Sequence, residues 1–168
     1  MNQWFSIKIA YHKEVEGGKI QKLTEQYLFD ALTYGEVEQR VGEELAASIR
    51  FEFNLVNISK INIHDVFYFE QGDKWYKCKL AFAELDEQTG KERKVTQNML
   101  VYAFSVEEAY VQLNQALSQN GLKFFEINAV ELTKIADVFE YGKSVEQFSV
   151  PKPLMAEQVY AIEEVQNF

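Results

Sequence analysis

WFSIKIAY, residues 4–11, returns as WYKCKLAF, residues 75–82. Both stretches alternate. Phe5, Ile7, Ile9 and Tyr11 interleave with Trp4, Ser6, Lys8 and Ala10, while Tyr76, Cys78, Leu80 and Phe82 interleave with Trp75, Lys77, Lys79 and Ala81. Period two sends neighbouring side chains to opposite sheet faces, so each stretch predicts a strand with one strongly apolar face. The likeness continues downstream. Gly18, Thr24, Leu28, Ala31, Glu36, Leu45, Phe53, Ile63 and Asp65-Val66-Phe67 recur as Gly90, Thr96, Leu100, Ala103, Glu108, Leu117, Phe125, Ile135 and Asp137-Val138-Phe139. The spacing is constant apart from one extra residue in the second hairpin loop. Segments 4–67 and 75–139 therefore read as two copies of one unit.

Moving outward, each first strand ends in a glycine turn, Glu16-Gly17-Gly18-Lys19 or Glu87-Gln88-Thr89-Gly90-Lys91, as hairpin loops require. Second strands follow near 22–30 and 93–102. Thr33-x-x-Glu36 and Ser105-x-x-Glu108 then read as capping boxes opening helices. Tyr34, Val37, Val41 and Leu45 recur at helical spacing, as do Val106, Ala109, Tyr110, Leu113 and Leu117. Asn120-Gly121 stops the second helix, whereas the first ends less sharply between Ala46 and Arg50. A third strand, roughly 51–61 or 123–133, closes each unit. The expectation is an α+β fold: a duplicated ββαβ unit with antiparallel hairpins and one main helix per unit. Residues 1–141 would form one domain. Residues 142–168 would form an extension, partly helical, in which Leu154, Val159, Ile162 and Val165 line one face after Pro153.

The 168 residues are 47% hydrophobic and 14% aromatic, enough for a core, and the formal charge is −9. That charge opposes polyphosphate binding unless a local basic patch overrides it. One cysteine, Cys78, permits no intramolecular disulfide and favours a reducing compartment. The start lacks a signal-peptide pattern and no run is long enough to span a bilayer, so the expected location is cytoplasmic, without membrane contact.

No phosphate loop, dinucleotide fingerprint, nucleophile elbow or zincin motif occurs, so no catalytic, cofactor or metal residue is assigned and the expectation is a protein that is not an enzyme. His12 and His64 read as ordinary strand or loop residues. Cys78 falls on an apolar face where the first copy has Ile7, which points to packing. Asp65, Phe67, Asp137 and Phe139 form a paired motif. A symmetric carboxylate pair for a metal is one reading; the favoured one makes each Asp a turn or cap residue and each Phe an anchor. Trp4, Lys8, Trp75, Lys77 and Lys79 share the face opposite the apolar one. Aromatics beside lysines on an open sheet would stack bases and neutralise phosphates. The plainer reading packs each Trp at a strand end and leaves each Lys to solubilise the sheet. Glu36, Glu38, Glu43 and Glu44 read as a solvated helix face.

WFSIKIAY, WYKCKLAF with its TGKERK hairpin, and ADVFEY at 136–141 together resemble an uncharacterised domain-of-unknown-function family from Bacteroidetes and their phages, over roughly 4–141. The resemblance implies a bacterial or phage-encoded intracellular protein and carries no catalytic residues. The functional expectation is a non-enzymatic binding or adaptor protein with another protein as partner, and homodimerisation through an exposed sheet or the tail. Alternatives are single-stranded nucleic-acid binding through the Trp/Lys face, and a small-nucleotide site or enzyme pocket between the repeats.

Overall fold

The computed structural model describes residues 3–141; the 142–168 extension and its expected helix lie outside the described residues. The elements run β1 (Gln3–Val15), β2 (Lys19–Ala31), α1 (Tyr34–Arg40), a π-helical turn (Val41–Leu45), α2 (Ala46–Ser48), β3 (Asn54–Ile61), β4 (Asp65–Tyr68), β5 (Lys74–Leu85), β6 (Glu92–Ala103), α3 (Val106–Gln119), β7 (Phe125–Leu132) and β8 (Ile135–Phe139). This is a mixed α+β protein, with helices and two four-stranded sheets ordered β3-β1-β2-β8 and β4-β6-β5-β7.

The strand orders correct one expectation. Asp65-Val66-Phe67 and Asp137-Val138-Phe139 are not turns but fourth strands, and each leaves its own half. β8 joins β2 in parallel, with Val138 opposite Leu28 and Phe139 opposite Phe29. β4 joins β6 in parallel, with Val66 opposite Leu100 and Phe67 opposite Val101. Exchanging the halves converts one strand order into the other. Adjacent Val and Phe side chains point to opposite faces of a strand. They find apolar surroundings on both sides because each exchanged strand lies between two packed layers.

Three cores result. Phe5, Ile7, Ile9, Tyr27, Phe29 and Phe139 of the first sheet meet Val37, Val41 and Leu45 of the helical segment. Tyr76, Cys78, Leu80, Met99 and Val101 of the second sheet meet Ala109, Leu113 and Leu117 of α3. Leu28 and Val138 from one sheet meet Trp75, Leu100 and Tyr102 from the other, flanked by Trp4, Val66 and Tyr68. The layers are therefore helix, sheet, sheet, helix, held through the middle by the third core. Each fully buried aliphatic or aromatic side chain stabilises the fold by about 1.5–3 kcal/mol.

Local chemistry sets the boundaries. The Thr33 and Ser105 hydroxyls accept from the Glu36 and Glu108 N–H groups at 3.2 and 3.0 Å. Glu36 and Glu108 reach back one residue beyond the cap and accept from the Leu32 and Phe104 N–H groups at 2.8 and 2.6 Å. The N–H groups of Gly121 and Leu122 return to the carbonyls of Ser118 and Leu117, a Schellman closure that needs the positive φ of Gly121. The first helical segment instead widens into its π turn at Val41 and stops at extended Ile49. Both edge pairings slip at equivalent places: Val56 is extra opposite Lys8/Ile9, and Asn128 is extra opposite Lys79/Leu80. Such bulges twist an edge away from further pairing. Between the halves, Gly72 lies so close to Tyr102 that an added Cβ would sit 2.7 Å from its backbone. The connection is therefore pressed onto the end of β6.

Candidate functional site

The five Trp/Lys positions do not form an open platform. Trp75 is 3% exposed, and its ring packs edge-on to Tyr68 at 5.1 Å and beside Tyr102 at 4.8 Å. Trp4 is half-buried against the same inter-sheet core. The face read as an open sheet is the face on which the two sheets meet, so base stacking on Trp75 is blocked. Lys8 and Lys79 are exposed farther along their strands, and Lys77 faces Glu131 at 3.6 Å.

The aspartates act locally. Asp65 accepts from the Val66 N–H at 2.8 Å, and Asp137 from the Val138 N–H at 2.9 Å. Phe67 anchors the second core and Phe139 the first, each in the half opposite its own. Among the described residues, no three His, Cys, Asp or Glu side chains gather as a metal site. Cys78 is buried, and burial pushes its thiol up to about 12 from 9.0. A thiol so placed is protonated and out of reach at neutral pH.

Two polar clusters escaped the sequence reading, and both lie in the first half. Arg40 is 6% exposed. Its guanidinium donates to the Asp30 carbonyl, to Glu44 at 2.7 and 3.1 Å, and to the Phe139 carbonyl at 3.5 Å. It also lies over the Phe29 and Tyr141 rings, and the Tyr141 N–H donates to the Asp30 carboxylate. Arg40 thereby ties the exchanged β8 to β2 and the helical layer. The available signal was an arginine at a position of the helix that the apolar spacing sends inward. The second cluster is Glu25, which accepts from Tyr11 Oη at 2.8 Å and Tyr27 Oη at 2.5 Å. Burial, then Glu25, raises the Tyr11 hydroxyl to about 12 and pushes Tyr27 higher still. Both clusters have their hydrogen bonds met within the fold, which suits a structural role.

Openings among the described residues include three clefts. A cleft of about 910 Å³ at the end of the first half is lined by Tyr11, His12, Ile49, Arg50, Phe51 and Phe53. The matching place in the second half holds a cleft of about 560 Å³ lined by Phe82, Lys94, Lys123, Phe124, Phe125 and Glu126. A third, of about 490 Å³, lies between the sheets where the chain crosses from β3 to β4 and from β7 to β8; Ile61–Ile63 and Leu132–Ile135 line it.

A family model described as Domain of unknown function (DUF4494) matches residues 3–141. The chain belongs to that family. No curated protein and no solved structure matches it. The DUF4494 span takes in both sheets, the two exchanged strands and these clefts, so the crossed architecture falls wholly within the family's domain. No helix among the described residues is long and apolar enough to cross a membrane.

Proposed function

We propose that this chain is a non-enzymatic binding or adaptor protein of a bacterium or its phage, acting inside the cell on a protein partner. The observation that carries the reading is Phe124. Its side chain is 84% exposed, yet it stands in a cleft with Phe82 and Phe125 and is rimmed by Arg93, Lys94, Lys123, Glu92 and Glu126. A large aromatic left in water within a polar rim is the usual make-up of a protein contact centre. The first half repeats the theme with Phe51, Arg50 and Tyr11 in other proportions. Two related but differently charged clefts suit a molecule that holds two different segments. The inert burial of Cys78 and the internally satisfied Arg40 and Glu25 clusters also support a role without catalysis. The correspondence of residues 4–67 with 75–139, together with interchangeable strand orders, further supports descent of the halves from one duplicated unit.

The test is capture from the native host with wild-type protein, Phe124→Ser and the surface control Ile20→Ser, all checked by circular dichroism. A protein held by wild type and the Ile20 variant but lost with Phe124→Ser is expected. Identical capture by all three would remove Phe124 as the contact and the reading with it.

A further inference from the structure

We propose that the groove between the two sheets binds a nucleoside monophosphate. The groove exists only because the strands exchange: the two crossover segments run together there and leave a space of about 490 Å³ over Leu100, Ile61, Ile63 and Ile135. That volume is in the range of small-molecule sites, and an apolar floor suits the flat face of a base.

Three side-chain amides, Gln26, Asn62 and Asn98, line the same space. Gln26 donates its amide N–H to Ser6 at 2.7 Å, and Asn98 donates to the Asn62 carbonyl at 3.3 Å. Each amide thus spends one N–H within the fold and keeps its second N–H and its carbonyl for a ligand. Two amides flanking an apolar floor, each offering a donor and an acceptor, suit a base edge that carries both.

The groove's charge selects the rest of the ligand. Lys77 and Lys134 line it with a single carboxylate, Glu131, so its lining is positive in a chain of net charge −9. Among the described residues Lys134 forms no ion pair, and the Lys77–Glu131 pair is long, at 3.6 Å, and solvent-exposed. An exposed pair of that kind is weak, so Lys77 can turn to a stronger anion. Lysines act as point charges toward phosphate, and a monoester has the size the groove admits. The two lysines come from β5 and from the β7–β8 crossover, where the corresponding residues of the first half are Ser6 and Asn62. The halves match at Gln26 and Asn98 and at Ile63 and Ile135 but not in charge, which orients the phosphate toward the second half.

Calorimetric titration of the full chain at low salt, with adenosine, cytidine and uridine monophosphates and ribose 5-phosphate, tests this. Saturable binding of the nucleotides, at least tenfold tighter than of ribose 5-phosphate, is expected. Lys134→Gln and Lys77→Gln should each weaken it about tenfold or more, the usual loss for a charge-assisted hydrogen bond. Phe124→Ser should leave it unchanged, which separates this groove from the protein-binding cleft. No saturable binding, equal binding of ribose 5-phosphate, or affinity indifferent to Lys134→Gln would each overturn the proposal. Lys134 is exposed on a crossover, so its replacement leaves the fold intact and the result readable.

Discussion

The two helical layers cover equivalent sheets by different chemistry. In the second half, α3 runs unbroken for 14 residues and lays Ala109, Leu113 and Leu117 on a wholly apolar face. In the first half the helix breaks into a π turn, and a buried arginine and a carboxylate bridging two tyrosines complete the layer. Where the first half has Arg40, Tyr11, Glu25 and Tyr27, the second has Gln112, Phe82, Gln97 and Met99. One strand order thus tolerates two kinds of core. A packed apolar layer depends on volume, whereas a polar layer depends on every partner being present, because an orphaned buried charge is costly.

Arg40→Ala should break this comparison most sharply. It removes one partner of Asp30 and of Glu44 and unpins β8, so urea denaturation should show a loss of about 2–4 kcal/mol. Gln112→Ala, at the corresponding position of α3, should change stability by less than about 0.5 kcal/mol. Equal small effects would show that Arg40 does not hold the exchanged strand. Leu45→Ala and Leu117→Ala compare the two layers by volume alone. Each should cost about 2–5 kcal/mol, with the fully enclosed Leu45 the more expensive. If Leu117 proved costlier, the broken first helix would be the more yielding of the two.

Alkaline pH separates the halves by their titrating groups. The folded protein keeps protons on Cys78, raised from 9.0 to about 12, and on Tyr11, raised from 10.0 to about 12, that the unfolded chain releases. A raised folded-state pKa gives stability that is full below the unfolded value and is lost as pH climbs toward the folded one. The urea midpoint should therefore hold below pH 9 and fall from 9 to 12. Cys78→Ala should delete the part of the fall that begins near 9 and leave the tyrosine part that begins near 10. A midpoint flat to pH 12 would contradict both burials. The smallest effects belong to the caps. Thr33→Ala and Ser105→Ala should each cost about 1 kcal/mol by thermal denaturation, and nearly equally, since their hydrogen bonds match.

Much of this was legible in the chain. The alternation of 4–11 and 75–82, the glycine turns, the capping boxes and the stop at Gly121 all act within a few residues, so local sequence carries them. The packing role of Cys78 was legible too, from its exchange with Ile7. The cover over the Trp/Lys face was not legible, because alternation says which residues share a face, not whether another sheet covers it. Trp75 sits with lysines by period and with Leu28, Leu100 and Tyr102 by packing. Arg40 went unnoticed because its partners at Asp30 and Phe139 are remote in sequence.

The sequence by itself determined the hairpin and third strands, the helix starts, the turns and the correspondence of segments 4–67 and 75–139. Only the tertiary structure decided where Asp-Val-Phe goes. A short strand with apolar residues on both faces is satisfied by any sheet edge that offers two greasy surroundings. Crossing into the opposite half supplies them, since each exchanged strand then packs on a helical layer with its Phe and on the inter-sheet core with its Val. That non-local gain in buried area, invisible to any local pattern, also opens the groove between the sheets.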